Sequence, residues 1–210
     1  MCESNMKLND LPFNWFDVLL LIWLVIGVFR GRKRGMSAEF MTFLQWVAIV
    51  IVGGVAYVPV GRWFAQTSQV FGMLFCYVTA YLVLAILVAL AFVILKRYFG
   101  GKLVGSDAFG KSEYYLGMPA GMVRFASMMI FALALLNARL YSQHEIQAYK
   151  KFQMENFDSE FFPGLQSLQS NVFEKSFSGR YIREYLGFLL IKPTPPSGGK
   201  PFKQKDWKGP

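Results

Sequence analysis

The chain has 210 residues, 54% of them hydrophobic and 17% charged, with a formal net charge of +9. Apolar content this high, collected into long runs, cannot be hidden in the core of one soluble domain of this length. The 22 Lys and Arg against 13 Asp and Glu suit either nucleic acid or a membrane flanked by basic loops. They lie between and just beyond the apolar runs, which favours attraction to anionic lipid headgroups and argues against nucleic acid.

Residues 1–12 form a polar N-terminal tail. Cys2 follows Met1 directly, so neither a lipoprotein signal nor a cleavable leader is expected. Cys76 lies inside an apolar run, and the two cysteines give no disulfide framework. The first apolar run, Phe13 to Phe29, has 17 residues. As a helix it covers roughly 25 Å, the lower limit for crossing a bilayer. Trp15 fits an interfacial anchor. Arg30-Gly31-Arg32-Lys33-Arg34-Gly35 follows, with four cations in five residues. A nucleic-acid patch is one reading of it; its place against an apolar run predicts a basic turn at the cytoplasmic face instead.

The second run extends from Phe40 to Val58. Glu39 opens it, where a carboxylate complements the helix dipole, and Pro59 is expected to end it. Gly53-Gly54 allows a bend or a close helix approach. After a short loop holding Arg62, Phe71 to Leu95 gives 25 positions without a charge, closed by Lys96 and Arg97. Ala85 and Ala89 make a small-xxx-small pair within it. Residues 98–115 are Gly-rich and predict a loop or interfacial segment. The fourth run, Leu116 to Leu136 with Leu140 as its outer limit, contains Gly117-x-x-x-Gly121 and Ala134-x-x-x-Ala138, patterns that let helices approach in lipid.

Residues 141–192 are polar with interspersed aromatics, among them Phe152, Phe157, Phe161 and Phe162. They predict one or two amphipathic helices against the membrane surface or the bundle. Leu186–Ile191 is too short to cross. Residues 193–210, rich in Pro, Gly and Lys, predict a disordered tail. The expected fold class is thus all-α and integral to the membrane. It has four transmembrane helices within 13–140, followed by a C-terminal extramembrane segment. Loops one and three carry the cations (Arg30, Arg32, Lys33, Arg34; then Lys96, Arg97, Lys102, Lys111), and loop two carries Arg62. The positive-inside rule then places both termini outside the cytoplasm. The 11 Lys and Arg from Arg139 onward argue the other way, but long segments weigh little in this rule.

No catalytic, cofactor-binding or metal-binding constellation is legible. The single histidine, His144, allows no paired-His site. No nucleotide loop, nucleophile elbow or zinc-protease motif occurs. Three ionisable residues near or inside the runs remain. Asp17 stays hydrated near an interface or contacts an ion. Arg124 snorkels or pairs inside the bundle. Glu39 is its plausible partner.

Two stretches carry a resemblance. The first is Asn14-Trp15-Phe16-Asp17, an apolar run, then Arg30-Gly31, Gly35 and Glu39. The second is Leu116-Gly117-Met118-Pro119-Ala120-Gly121-Met122-Val123-Arg124. In this order among four spans they resemble the colicin V production protein family, CvpA, over about residues 13–140. Glu113 stands where that family often has Asp or Asn, Phe125 where a glycine often follows the basic residue, and Pro119 is unusual. The resemblance implies a multi-pass protein of the bacterial inner membrane, linked to toxin production or export, and no known reaction. Related modules occur fused to trypsin-like proteases, for which residues 141–210 are too short. The expected function is accessory: support of colicin V or toxin production or secretion and of envelope homeostasis, alone, as a homo-oligomer or with membrane-protein partners. The alternative is a small oligomeric channel or transporter with Asp17, Glu39 and Arg124 on its polar path; an embedded enzyme has no support.

Overall fold

The computed structural model describes residues 14–67, 72–105, 110–141 and 164–194. Among them the chain is helical, with one isolated backbone bridge between Arg139 and Thr194. Among the described residues three helices are long and apolar enough to cross a membrane: α1 (Trp15–Thr67), α2 (Met73–Gly105) and α3 (Glu113–Asn137). The 1–12 tail, His144 and the four phenylalanines between 152 and 162 lie outside the described residues.

Helix α1 has 53 residues. Straight, it would measure about 80 Å, more than twice the hydrocarbon thickness of a bilayer. It is not straight. Gly35 adopts φ +74° and ψ 164° inside it, a backbone state that costs little only for glycine. Phe16 near one end and Tyr57 near the other belong to the same buried cluster, so the chain folds back at this residue. The glycine contacts give the directions of the other helices. Gly27 lies against Phe125 and Gly31 against Gly117, so α3 runs antiparallel to the first arm. Gly53 lies against Tyr81 and Gly61 against Tyr77, so α2 runs antiparallel to the second.

Several expected boundaries move. The basic stretch from Arg30 is helical through Arg34, because Arg and Lys are good helix formers and the whole reversal is taken up at Gly35. Pro59 does not end the second arm; helix continues to Thr67 and includes Arg62. The missing bond at Pro59 falls on Val55, which is 66% exposed, and apolar helices tolerate proline on an outer face. Helix α2 runs ten residues past Leu95, through part of the expected loop. Thr194, expected in the disordered tail, is held instead: its N–H donates to the Ala138 carbonyl at 3.0 Å and its carbonyl accepts from Leu140 N–H at 3.1 Å, while residues 195–210 lie outside the described residues.

The described C-terminal residues form short turns: α4 (Leu165–Ser170), a π turn (Asn171–Lys175), α5 (Phe177–Tyr185) and a 3-10 turn (Gly187–Leu189). Leu190 and Ile191, too short a run to cross, are buried with Val172 and Phe173 against Phe16, Tyr57, Tyr81, Leu133 and Ala138. This segment caps the end of the bundle opposite Gly35. The rest of the bundle turns apolar side chains outward, as in α2 at Ile86, Leu87, Leu90, Val93 and Ile94; this is the pattern lipid favours.

Tyr81 is fully buried, its ring 5.4 Å from Phe131, and its hydroxyl has no hydrogen-bond partner. Tyr81→Phe is therefore expected to leave thermal stability in detergent unchanged or to raise it by up to about 1 kcal/mol. A clear loss would mean that the hydroxyl is bonded.

Candidate functional site

At the Gly35 turn a buried carboxylate meets a nearly buried guanidinium. Glu39, one turn past Gly35, has a fully buried side chain. Its Oε1 accepts from Arg124 Nη1, and Arg34 Nη1 lies 3.5 Å from Oε2, in ion-pair reach without hydrogen-bond geometry. Arg124 does not snorkel. It reaches across from α3, its side chain only 11% exposed, with Nε unpaired and the charge 5.6 Å over the Phe125 ring. A guanidinium in a low-dielectric interior is tolerated when a carboxylate offsets its desolvation. Beside this pair, Lys96 Nζ donates to Gln45 Oε1 at 2.7 Å, which ties α2 to the second arm of α1.

The pair is held by a seam of glycines. A methyl group built on Gly31 would sit 2.9 Å from the Gly121 Cα, and one built on Gly121 would sit 2.8 Å from the Gly31 Cα. Gly117 meets Gly31 in the same way, and a Cβ at Gly35 would press on the Glu113 side chain, 2.7 Å from Oε1. The backbones of the first arm and α3 therefore touch, and this closeness sets Arg124 at the depth of Glu39.

Asp17 is elsewhere. It lies at the capped end, 18 residues before Gly35 along the first arm, or about 27 Å by helix rise. It is buried rather than hydrated. Its Oδ2 accepts from Asn14 N–H at 2.8 Å, the half of a capping box that reaches back to the N-cap, while Asn14 Oδ1 accepts from Trp15 N–H at 2.7 Å. The same carboxylate accepts from Ser178 N–H at 2.8 Å and Phe177 N–H at 3.3 Å, the first turn of α5. Asp17 thus docks the C-terminal segment and is not brought to Glu39 and Arg124.

Sequence reasoning missed the other anchors of that segment. Asn14 Nδ2 donates to the Asn171 carbonyl at 2.9 Å, Asn137 Nδ2 to the Ile191 carbonyl at 3.0 Å, and Tyr57 Oη accepts from Lys192 N–H at 3.0 Å. Their signal was a polar group at the end of an apolar run. Gln45, a lone amide within such a run, was the equivalent signal for Lys96.

Asp17→Ala leaves donors at two helix starts unsatisfied. It is expected to cost about 1–3 kcal/mol and to make residues 164–194 the first protease-sensitive part of the folded protein. Limited proteolysis in detergent checks this. An unchanged digestion pattern would mean that the apolar contacts of Leu190 and Ile191 hold the segment alone.

No curated protein and no solved structure matches the chain. The model of the colicin V production protein family matches residues 16–168. The match takes in Asp17, Gly31, Gly35, Glu39, Gly117, Gly121 and Arg124, and it continues past residue 140, beyond the stretch that carried the sequence resemblance. With most of its length matched, including the Gly35 turn, the glycine seam and the buried ion pair, this chain belongs to the colicin V production protein family.

Proposed function

We propose that this protein is a non-enzymatic, CvpA-like accessory protein of the bacterial inner membrane that supports colicin V or toxin production or secretion and envelope homeostasis. Family membership supports the link to colicin V production. The fold-back at Gly35 supports four crossings, two of them from α1. The distribution of cations supports both termini outside the cytoplasm, with the Gly35 turn inside.

The observation that carries the accessory reading is the mutual neutralisation of Glu39 and Arg124 inside the bundle. A carboxylate bonded to a buried guanidinium acts as an internal fastener between helices. A conduction path would instead present such a charge to water or to a moving ion. Homo-oligomers and membrane-protein partners are compatible with this reading.

The test is genetic. Deletion in a host that makes colicin V should lower the toxin released to the medium, and the wild-type chain should restore it. Unchanged release after deletion would contradict the reading. Purified protein in liposomes should give no ion flux above empty vesicles; a reproducible flux from the wild-type protein would favour a channel.

A further inference from the structure

Beside the glycine seam, two clefts lie in line along the first arm of α1 and α3 and together outline a lateral groove. The one at the Gly35 end, ≈ 560 Å³, is lined by Phe29, Arg32, Lys33, Tyr114, Tyr115 and Met118. Towards Asp17 a second cleft of ≈ 420 Å³ is lined mainly by apolar side chains, including Leu21, Val25, Val28 and Met122, together with Asp17 and Ser178, whose polar groups are bonded to each other there. Helical periodicity puts these on one track. Val18, Leu21, Val25, Val28, Phe29 and Arg32 share a face of α1, and Tyr114, Met118 and Met122 share a face of α3. The seam creates the groove: backbones in contact at Gly31 and Gly121 leave the larger flanking side chains to form its walls.

We infer that this groove binds one anionic phospholipid, its phosphate on Arg32 and Lys33 and one acyl chain laid along α1 and α3. Three observations fix the occupant. Charge is the first: Arg32 and Lys33 are exposed, and among the described residues neither is in an ion pair, whereas Arg34 one position on is engaged with Glu39. The nearest carboxylate along α3, Glu113, is turned towards Gly35. Polarity is the second: cations and two tyrosines, 58% and 70% exposed, stand at one end only. That is the arrangement of an interfacial belt above a hydrocarbon zone. Length is the third: Val18 to Arg32 spans about 21 Å by helix rise, longer than the roughly 15 Å of hydrocarbon in one leaflet. The groove is also continuous with the outward apolar face of the bundle, so a lipid enters it sideways without crossing a polar barrier.

The experiment compares lipid retained by the full chain. Protein is reconstituted in phosphatidylcholine membranes doped with phosphatidylglycerol, extracted in mild detergent, and its bound lipid is counted by native mass spectrometry. The wild type should retain one phosphatidylglycerol in preference to phosphatidylcholine. Arg32→Gln with Lys33→Gln should lower that retention by about five-fold or more for each cation, equivalent to about 1 kcal/mol per basic residue. Met118→Trp, which fills the groove and leaves the charges, should lower it as well. Arg97→Gln removes an exposed cation of α2 outside the groove and should leave retention unchanged. Equal loss from Arg97→Gln would overturn the site in favour of general surface attraction. Retention unaffected by both Arg32/Lys33 neutralisation and Met118→Trp, or displacement of the lipid by inorganic phosphate alone, would overturn it too.

Discussion

Glu39→Gln is expected to lower stability in detergent or nanodiscs by about 3–5 kcal/mol, the usual cost of stranding a buried charge. The substitution leaves Arg124 buried without its counter-charge, with Arg34 close by. Arg124→Met should cost less, about 2–3 kcal/mol, because Arg34 stays 3.5 Å from Glu39. Arg34 is 43% exposed and partly solvated, so its compensation is incomplete. The double substitution should cost clearly less than the sum, since no charge is then left alone. Thermal melts of the four proteins in the cycle measure this. Additive losses would mean that the two side chains are solvated independently.

The second large effect is at the seam. Gly121→Ala places a methyl group against the Gly31 backbone, which cannot rotate away as a side chain can. The expected cost is about 1–3 kcal/mol. Gly121→Leu should exceed what the bundle tolerates and remove folded protein from the membrane fraction. The same loss is expected at Gly117 and Gly31. Gly187→Ala serves as the control, because nothing lies within 4 Å of a Cβ built there, and it should be neutral. Wild-type abundance and melting for Gly121→Leu would mean that the helices are not in backbone contact.

Much of this was legible because it depends on local composition. Uninterrupted apolar runs such as Phe71–Leu95 have one outcome in lipid, a helix. Gly117 and Gly121 lie one turn apart on one face, a spacing that permits a close helix contact in lipid, and the structure supplies the partner, Gly31. Glu39 and Arg124 could be matched because few charges lie so near apolar runs and each needs an opposite. Other features depend on tertiary context. That the Arg30–Arg34 stretch remains helical could not be read locally, because turn and helix are both acceptable for cations until Gly35 is seen to take the whole reversal. Pro59 looked like a terminator because the rule for the preceding residue ignores an outer face that tolerates a missing bond. The role of Asp17 was hidden for a different reason: its partners at Phe177 and Ser178 are 160 and 161 residues away in sequence, and no periodicity links them. Leu190 and Ile191 could be recognised as apolar, yet the cluster they complete draws on α1, α2 and α3 together.

If α1 crosses the membrane twice, folding at Gly35, its two arms end on the same side and the turn lies on the other. Single cysteines in a background with Cys2 and Cys76 replaced by serine test it most directly. Lys33, Thr67 and Arg183 are all exposed and give three sites: at the turn, at the end of the second arm, and on α5. A membrane-impermeant maleimide applied to intact cells should label Thr67→Cys and Arg183→Cys and should reach Lys33→Cys only after the membrane is opened. Labelling of Lys33→Cys alone would invert the orientation and keep the fold-back. Labelling of Lys33→Cys and Thr67→Cys from the same side would contradict the fold-back itself.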